Sequence, residues 1–296
     1  EERRLFSSMS QLVEERQNIA RRSDLKGSER RALLSDATDS WLRGLLTDAI
    51  TQHRADSTQF ALLAVGGYGR REMSLGSDID VVLVHEPSAL RVEDVASSLW
   101  YPIWDSRIAL DHSVRTIAQA RTLAQEDFKV VLGLIDARVV AGSTELGESL
   151  RTGILGDWRA SAGDRLVELH ATAMARRSRV GDLAQLLEPD IKEAYGGLRD
   201  AVLLRALAAS WTVEVPRTQW PSAVSTLLDV RDALHARGLR DRLAMQEQDD
   251  IAAEMTELLG NEATADDLLR TVYLAARDLA YASDVAWYRA LRATRK

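Results

Sequence analysis

Residues 62–84 read LLAVGGYGRREMSLGSDIDVVLV and combine residue types suited to phosphate and metal chemistry. Two adjacent glycines, Gly66 and Gly67, follow an apolar run, and Asp78 and Asp80 open a second apolar run. Adjacent glycines let the backbone turn sharply, and if a helix follows, the turn offers N–H groups to a phosphate. A Gly-Gly turn alone is weak evidence, because most such turns bind nothing.

The two aspartates strengthen this interpretation. They are separated by one residue, so on a β-strand both side chains point to the same face, with Cα atoms about 7 Å apart. Two ionised carboxylates this close repel each other unless a cation lies between them. Mg²⁺ takes oxygen ligands and commonly binds substrate phosphates as well. The alternative is that Asp78 caps a turn and Asp80 lies in solvent at the end of a strand; the upstream glycine turn favours the metal site.

Composition narrows the classes of partner. The chain has 296 residues and a net charge of −7, which argues against a general nucleic-acid-binding protein. It has no cysteine, so any metal would be bound by oxygen or imidazole ligands. No apolar run approaches the ~18 residues of a membrane span, and the start lacks a signal peptide, so we expect a cytoplasmic protein with no membrane contact. The first residue is glutamate, which suggests a segment of a longer protein.

The hydrophobic pattern changes twice along the chain. Residues 1–56 are predicted to be helical, and residues from about 143 onwards are predicted to be helical almost throughout, with a loop near 213–221. Between them, apolar β-branched runs predict four strands, with a helix between the second and the third. The predicted strands are 60–65, 79–84, 108–114 and 137–142, and the helix is 92–107.

The stretch GGYGRREMSLGSDIDVVLV resembles the signature of the DNA polymerase β-like nucleotidyltransferases, and in particular that of the PII uridylyltransferase (GlnD) family. Three further stretches resemble the same family: EPDIKEAYGGLRD (188–200), DHSVRT (111–116) and DVRDALHARGLRDRL (229–243). The resemblance covers roughly residues 30–290.

The resemblance implies an α+β fold of mixed class. A polymerase β-like nucleotidyltransferase domain, built on a small mixed sheet with helices, would be joined to an all-α helical domain. The implied domains are an N-terminal helical segment at 1–56, the nucleotidyltransferase domain at 57–145 and the helical domain at 146–296. Phosphohydrolase (HD) and ACT sensor domains would lie beyond this segment.

The resemblance also assigns roles to single residues. Gly66 and Gly67 match the phosphate-binding turn, and Asp78 and Asp80 match the metal-binding carboxylates, which Ser77 precedes as the family's serine does. A third carboxylate usually lies on a later strand of this superfamily.

Asp111 is the candidate for that third carboxylate and metal ligand. The family's form of this strand has glycine at the position, so an ordinary strand-edge aspartate is an equal alternative.

Three basic residues complete the implied nucleotide-binding set. Arg70 matches a motif position at which it would contact nucleotide or brace the turn by an ion pair with Glu72. Lys192 and Arg199 match the second motif and would reach the triphosphate. The alternative for both is a salt-bridge network with Glu193 or Asp200.

The activity implied is transfer of UMP or AMP from an NTP to a tyrosine of a trimeric PII signal protein, with release of pyrophosphate. Two Mg²⁺ ions, or Mn²⁺ in their place, would be the cofactors. Two alternatives stay open: a non-catalytic nucleotide-sensing or interaction module on the same fold, and a nucleotidyltransferase with a different acceptor. The choice between UTP and ATP is not written in the sequence.

Overall fold

The computed structural model describes residues 12–22, 24–25, 27–216 and 220–294. The predicted helix over residues 1–11, the centre of the predicted loop at 217–219 and the last two residues lie outside the described ranges. Contacts divide the chain into two compact units, the first ending at Asp157 and the second beginning at Trp158. The three-part division suggested by the sequence stays a prediction.

The first unit contains a four-stranded sheet and its flanking helices. Its elements are α1 (12–20), α2 (Gly27–His53), β1 (Phe60–Ala64), α3 (Gly66–Gly69), β2 (Ile79–His85), α4 (Val92–Asp105), β3 (Leu110–Arg115), α5 (Ile117–Glu126), α6 (Phe128–Leu134) and β4 (Arg138–Gly142). The chain then enters α7 (Thr144–Val180), within which the division between the two units falls.

The sheet is mixed, with strand order β3-β2-β1-β4. Strand β1 is antiparallel to both of its neighbours, whereas β2 and β3 are parallel and are connected through α4. All four predicted strands are confirmed, each within two residues at either end. The predicted fold class is therefore confirmed, with a small mixed sheet in an otherwise helical chain.

Strand β2 is buried on both faces after Asp80, because Val82 and Val84 are buried as well as Val81 and Leu83. Ile79, Val81 and Leu83 are fully buried and belong to a hydrophobic core shared with α2 and α4. Successive side chains of a strand point to opposite faces, so Asp80 lies on the face away from this core. Leu12 and the apolar face of α2 share the same core, which ties the N-terminal helices to the sheet.

The second unit is helical, as predicted. After the C-terminal part of α7 it contains α8 (Leu198–Ala209), α9 (Trp220–Ala236), α10 (Gln248–Glu254), α11 (Thr256–Leu259) and α12 (Ala265–Ala293). α12 packs against α8, α9 and α10. The indole of Trp158 is fully buried and donates its Nε1–H to the carbonyl of Ala206 at 2.8 Å. Within the described ranges, no helix is long and apolar enough to cross a bilayer.

The EPDIKEAYGGLRD stretch forms a tight connection that packs against α12. Gly196 has φ +84°, and a Cβ atom there would lie 2.5 Å from the carbonyl oxygen of Ala276. The Gly196 N–H donates to Asp200 Oδ2 at 2.6 Å, and the other oxygen of this buried carboxylate accepts from Arg176 of α7. The glycine is required because the backbones approach too closely for a side chain.

The same stretch meets the 229–243 block at Asp241. This carboxylate accepts from Arg231 Nε at 2.8 Å and lies 3.0 Å from His235 Nε2 and 3.7 Å from Lys192 Nζ. Burial by itself would raise the pKa of Asp241, but the hydrogen bond with His235 and the charges of Arg231 and Lys192 outweigh it and hold that pKa well below its ordinary value. Two of the stretches that carry the resemblance are thus joined by one buried charge cluster.

Replacing Gly196 by alanine should destabilise the second unit by about 2–4 kcal/mol, because the new Cβ meets backbone and the left-handed conformation is strained. Calorimetric unfolding would measure the change. Gly163→Ala is the matched control: Gly163 lies inside α7 with nothing within 4 Å of a new Cβ, so this change should be neutral or stabilising. Equal melting temperatures for both variants would contradict the packing described for Gly196.

Asp241→Asn should cost stability at neutral pH and cost progressively less in acid. The native-state pKa of Asp241 is depressed, so its ionised form stabilises the fold above the unfolded-state value of about 4. Below that pH the contribution falls by about 1.4 kcal/mol per pH unit. Urea unfolding between pH 7 and pH 3 would measure how the difference in unfolding free energy between wild type and variant decreases. The exposed Asp164→Asn change is the control. If wild type were more stable than Asp241→Asn by the same free energy at every pH, the depressed pKa of Asp241 would be contradicted.

Candidate active site

The glycine turn and the acidic strand meet at one end of the β1–β2 pair. Strand β1 ends where β2 begins, and the Val65 N–H donates to the carbonyl of Asp80 at 3.0 Å. Gly66 follows with φ +56°, and a Cβ atom placed on it would lie 3.7 Å from Asp80 Oδ2. Two features that are separate in sequence therefore form one site.

The site contains a second carboxylate from the neighbouring strand. Asp80 of β2 and Asp111 of β3 are directly paired in the parallel register, so their side chains share one face of the sheet. Asp111 is exposed and lies 3.2 Å from Lys129 Nζ, at the start of α6. Asp78 precedes β2 by one residue, with the buried Ile79 between it and Asp80.

These carboxylates fit a metal that is shared with a substrate. Among the described residues, no group of three or more histidine or acidic side chains is arranged to hold an ion by itself. Mg²⁺ in phosphate-transfer sites is usually bound by one or two carboxylates, with phosphate oxygens and water completing its shell. Asp78 and Asp80, with Asp111 alongside, provide that kind of donor set.

The loop that leads to Asp78 is held by polar contacts. Ser77 Oγ accepts from the Ser74 N–H at 2.9 Å and lies 3.0 Å from the Ser74 hydroxyl oxygen. Arg16 of α1 donates Nη2–H bonds to the carbonyls of Leu75 at 3.2 Å and Ser77 at 3.3 Å. Burial lowers the pKa of Arg16 to about 10. No local sequence pattern indicates this role for Arg16.

A buried ionic cluster fixes the glycine turn itself. The Tyr68 hydroxyl donates to Asp39 Oδ1 at 2.6 Å, and Arg138 donates to both oxygens of Asp39 at 2.6 and 3.0 Å. Burial and the Asp39 charge raise the pKa of Tyr68, so its hydroxyl stays a donor. A Cβ atom on Gly69 would lie 2.3 Å from the carbonyl of Asp136, which shows how closely the turn approaches the start of β4.

Arg70 braces the turn from the other side. It donates to Glu72 at 2.7 Å and to Asp136 at 2.8 Å, so the ion pair predicted with Glu72 is present. Burial opposes ionisation of Arg70, but the two carboxylates raise its pKa above the ordinary value. Its role as a nucleotide contact stays a prediction.

Lys192 and Arg199 belong to the second unit, and both are engaged in ion pairs there. Arg199 Nη2 lies 2.6 Å from Glu193 Oε1, which is one of the salt bridges that the sequence left open as an alternative. Lys192 lies beside Asp241, a partner that the sequence did not indicate. Contact of either residue with nucleotide stays a prediction.

A protein-family model matches residues 12–101, and its description is "Putative nucleotidyltransferase DUF294". The match includes the glycine turn, the acidic strand, the helices α1 and α2, and the first part of α4. Asp111 lies outside the matched residues.

Curated relatives cover more of the chain. A bifunctional uridylyltransferase/uridylyl-removing enzyme of Streptomyces coelicolor is 52% identical over 264 residues, which is 88% of this chain and 30% of that protein. Proteins of the same name from Mycobacterium tuberculosis and Corynebacterium glutamicum are 39% and 34% identical, over 89% and 74% of this chain and 34% and 33% of their own lengths. The chain therefore spans about a third of the length of these relatives.

The sequence stretches that suggested a nucleotidyltransferase agree with these matches, and the mixed sheet places the acidic strand beside the DHSVRT strand. Most of the chain is similar to about a third of the bifunctional uridylyltransferase/uridylyl-removing enzymes, and its residues 12–101 match the DUF294 model of putative nucleotidyltransferases.

Proposed function

We propose that this chain transfers a nucleoside monophosphate, UMP or AMP, from an NTP to a tyrosine of a PII signal protein in a Mg²⁺-dependent reaction. The observation that carries the proposal is the pairing of Asp80 with Asp111 beside the Gly66–Gly67 turn. The name shared by the relatives supports transfer of a uridylyl group in particular. The tyrosine acceptor rests on the family resemblance of the sequence.

The chain's own residues would act by positioning and electrostatics. Asp78 and Asp80, with Asp111 alongside, would hold the metal and so fix the triphosphate, while the Gly66 and Gly67 amides would donate to its β- and γ-phosphates. Bound Mg²⁺ would favour ionisation of the acceptor hydroxyl and neutralise charge on the leaving pyrophosphate.

In the transfer, the acceptor oxygen bonds to the α-phosphorus as the bond from that phosphorus to the bridging oxygen breaks. Pyrophosphate leaves with the bonding electrons, and the hydroxyl proton passes to solvent.

A labelling assay tests the activity directly. The purified chain, MgCl₂, either UTP or ATP, and a purified PII signal protein would be incubated together, and the acceptor would be analysed by peptide mass spectrometry. A mass increase of one nucleotidyl group on a tyrosine peptide is expected, and its size identifies the donor. A folded chain that labels no PII protein with either nucleotide would refute the proposal.

Asp80→Asn should reduce transfer at least tenfold, a loss of about 1.4 kcal/mol or more of transition-state stabilisation. It should not lower the melting temperature without metal, because removing one charge beside Asp111 relieves repulsion. Steady-state kinetics and thermal unfolding would measure the two effects. Asp48→Asn, an exposed change on α2, is the control and should alter neither. More than a tenth of the wild-type rate in Asp80→Asn would exclude a primary metal-binding role.

Asp111→Asn distinguishes a third carboxylate from an ordinary strand-edge aspartate. We expect kcat to fall at least tenfold while KM for the NTP changes less than threefold, because the carboxylate would act on the acceptor side of the metal. Lys129→Ala breaks the same ion pair but keeps the carboxylate, and it should stay within about twofold of wild type, as exposed pairs contribute little. An equal decrease of kcat in Asp111→Asn and Lys129→Ala would assign the effect to the ion pair between these two residues.

A further inference from the structure

Strand β3 lies at an edge of the sheet. One side of it pairs with β2, and no strand in the described ranges pairs with the other side. The Ile79 N–H donates to the Ala109 carbonyl at 2.8 Å, which sets the phase of the parallel ladder. In that phase the backbone groups of Asp111 and Ser113 face β2, and those of Leu110, His112 and Val114 face outwards. Such an edge is a template for an added strand.

An aromatic strip lies beside this edge, formed by Tyr101 and Trp104 of α4 and by His112 of β3. The rings of Tyr101 and Trp104 meet edge to face, with their centroids 5.5 Å apart, and the ring centroids of Trp104 and His112 are 5.6 Å apart. Tyr101 is 62% exposed and Trp104 is 49% exposed, although both are large apolar side chains. Exposed tyrosine and tryptophan side chains in one cluster are typical of protein-binding surfaces.

The acidic site and the aromatic strip lie on opposite faces of the same strand. Consecutive residues Asp111 and His112 point to opposite sides of the sheet, and Asp111 shares its face with Asp80. A strand added beside β3 would alternate in the same way. One of its side chains would point to the acidic face beside Asp111, and the residues on either side would contact the aromatic strip.

We propose that the acceptor protein docks an extended segment as an additional strand along β3, with the reactive hydroxyl on the Asp111 side and flanking residues on the aromatic strip. This inference rests on the proposed function and adds the way in which the acceptor is recognised. The occupant must be a polypeptide, because only a peptide backbone matches the outward N–H and C=O groups of β3.

Geometry also favours a long hydroxyl side chain. Adjacent strands are about 4.8 Å apart, so the added strand would lie about 10 Å from β2. Strand side chains stand roughly perpendicular to the sheet, so a tyrosine raises its hydroxyl well above the acidic face and can lean across β3 towards Asp80, whereas a serine hydroxyl stays close to its own strand. A small-molecule acceptor would make no use of the edge or of the strip.

A kinetic test uses the double variant Tyr101→Ala/Trp104→Ala. We expect KM for a PII signal protein to rise at least fivefold while KM for the NTP stays within twofold of wild type. The matched control is Tyr281→Ala/Tyr288→Ala, which removes two similarly exposed aromatics from α12 and should leave both constants unchanged. Circular dichroism would confirm that each variant is folded. An unchanged KM for the acceptor in the Tyr101/Trp104 variant would overturn the docking surface.

Hydrogen exchange tests the strand pairing without relying on turnover. The Asp80→Asn chain would be mixed with excess PII signal protein, MgCl₂ and NTP, and amide exchange would be followed by NMR. The amides of Leu110, His112 and Val114 should exchange more slowly with the acceptor present. The Ser113 amide faces β2 and should not change.

The outcomes separate the two proposals. Labelling of PII protein by wild type without protection of these amides would overturn the docking mode alone. Absence of both labelling and protection would overturn the proposed function. Protection that grows with chain concentration in the absence of acceptor would show a second copy of the chain on β3, and it would also overturn the inference.

Discussion

A single backbone hydrogen bond, from the Val65 N–H to the Asp80 carbonyl, marks the contact on which the site depends. It extends the antiparallel β1–β2 pairing to the point where the glycine turn begins. A shift of one residue in β2 would turn Asp80 into the apolar core and Ile79 out of it, at a cost of several kcal/mol for the buried charge. The buried Ile79 and the adjacent charged Asp80 therefore favour one register, and that register places the carboxylate beside Gly66.

The glycine turn is too short to hold its own shape. α3 is a single four-residue turn, and isolated helices of this length are unstable in water. Its conformation is imposed by ion pairs that start from neighbouring elements: Asp39 of α2, Arg138 of β4 and Asp136 just before β4. Buried ion pairs contribute little net stability, because desolvation offsets their attraction. We infer that these ion pairs hold the glycine turn in a single backbone geometry.

Sequence reasoning predicted what depends on local pattern. Apolar, β-branched runs predicted the four strands, and the two-residue spacing of Asp78 and Asp80 indicated a pair of carboxylates. It did not predict contacts between distant residues. Asp39 and Arg138 are 99 residues apart, and neither carries a local signal of its partner. The direct pairing of Asp80 with Asp111 depends on the path of the chain through α4, which periodicity does not encode. Arg16 was missed for the same reason, since its partners are carbonyls of a loop about sixty residues away.

The charged side chains of the sequence motifs are arranged differently in the two units. In the second unit the charged residues of the 188–200 and 229–243 stretches are paired with one another, as Arg199 is with Glu193 and Arg231 is with Asp241. Such pairs give these motif residues a structural role. In the first unit Asp80 and Asp111 are neighbours in the parallel register of β2 and β3, and Asp111 also lies 3.2 Å from Lys129 Nζ. Neighbouring carboxylates repel each other, and the binding of a cation is one way in which such a cost is offset.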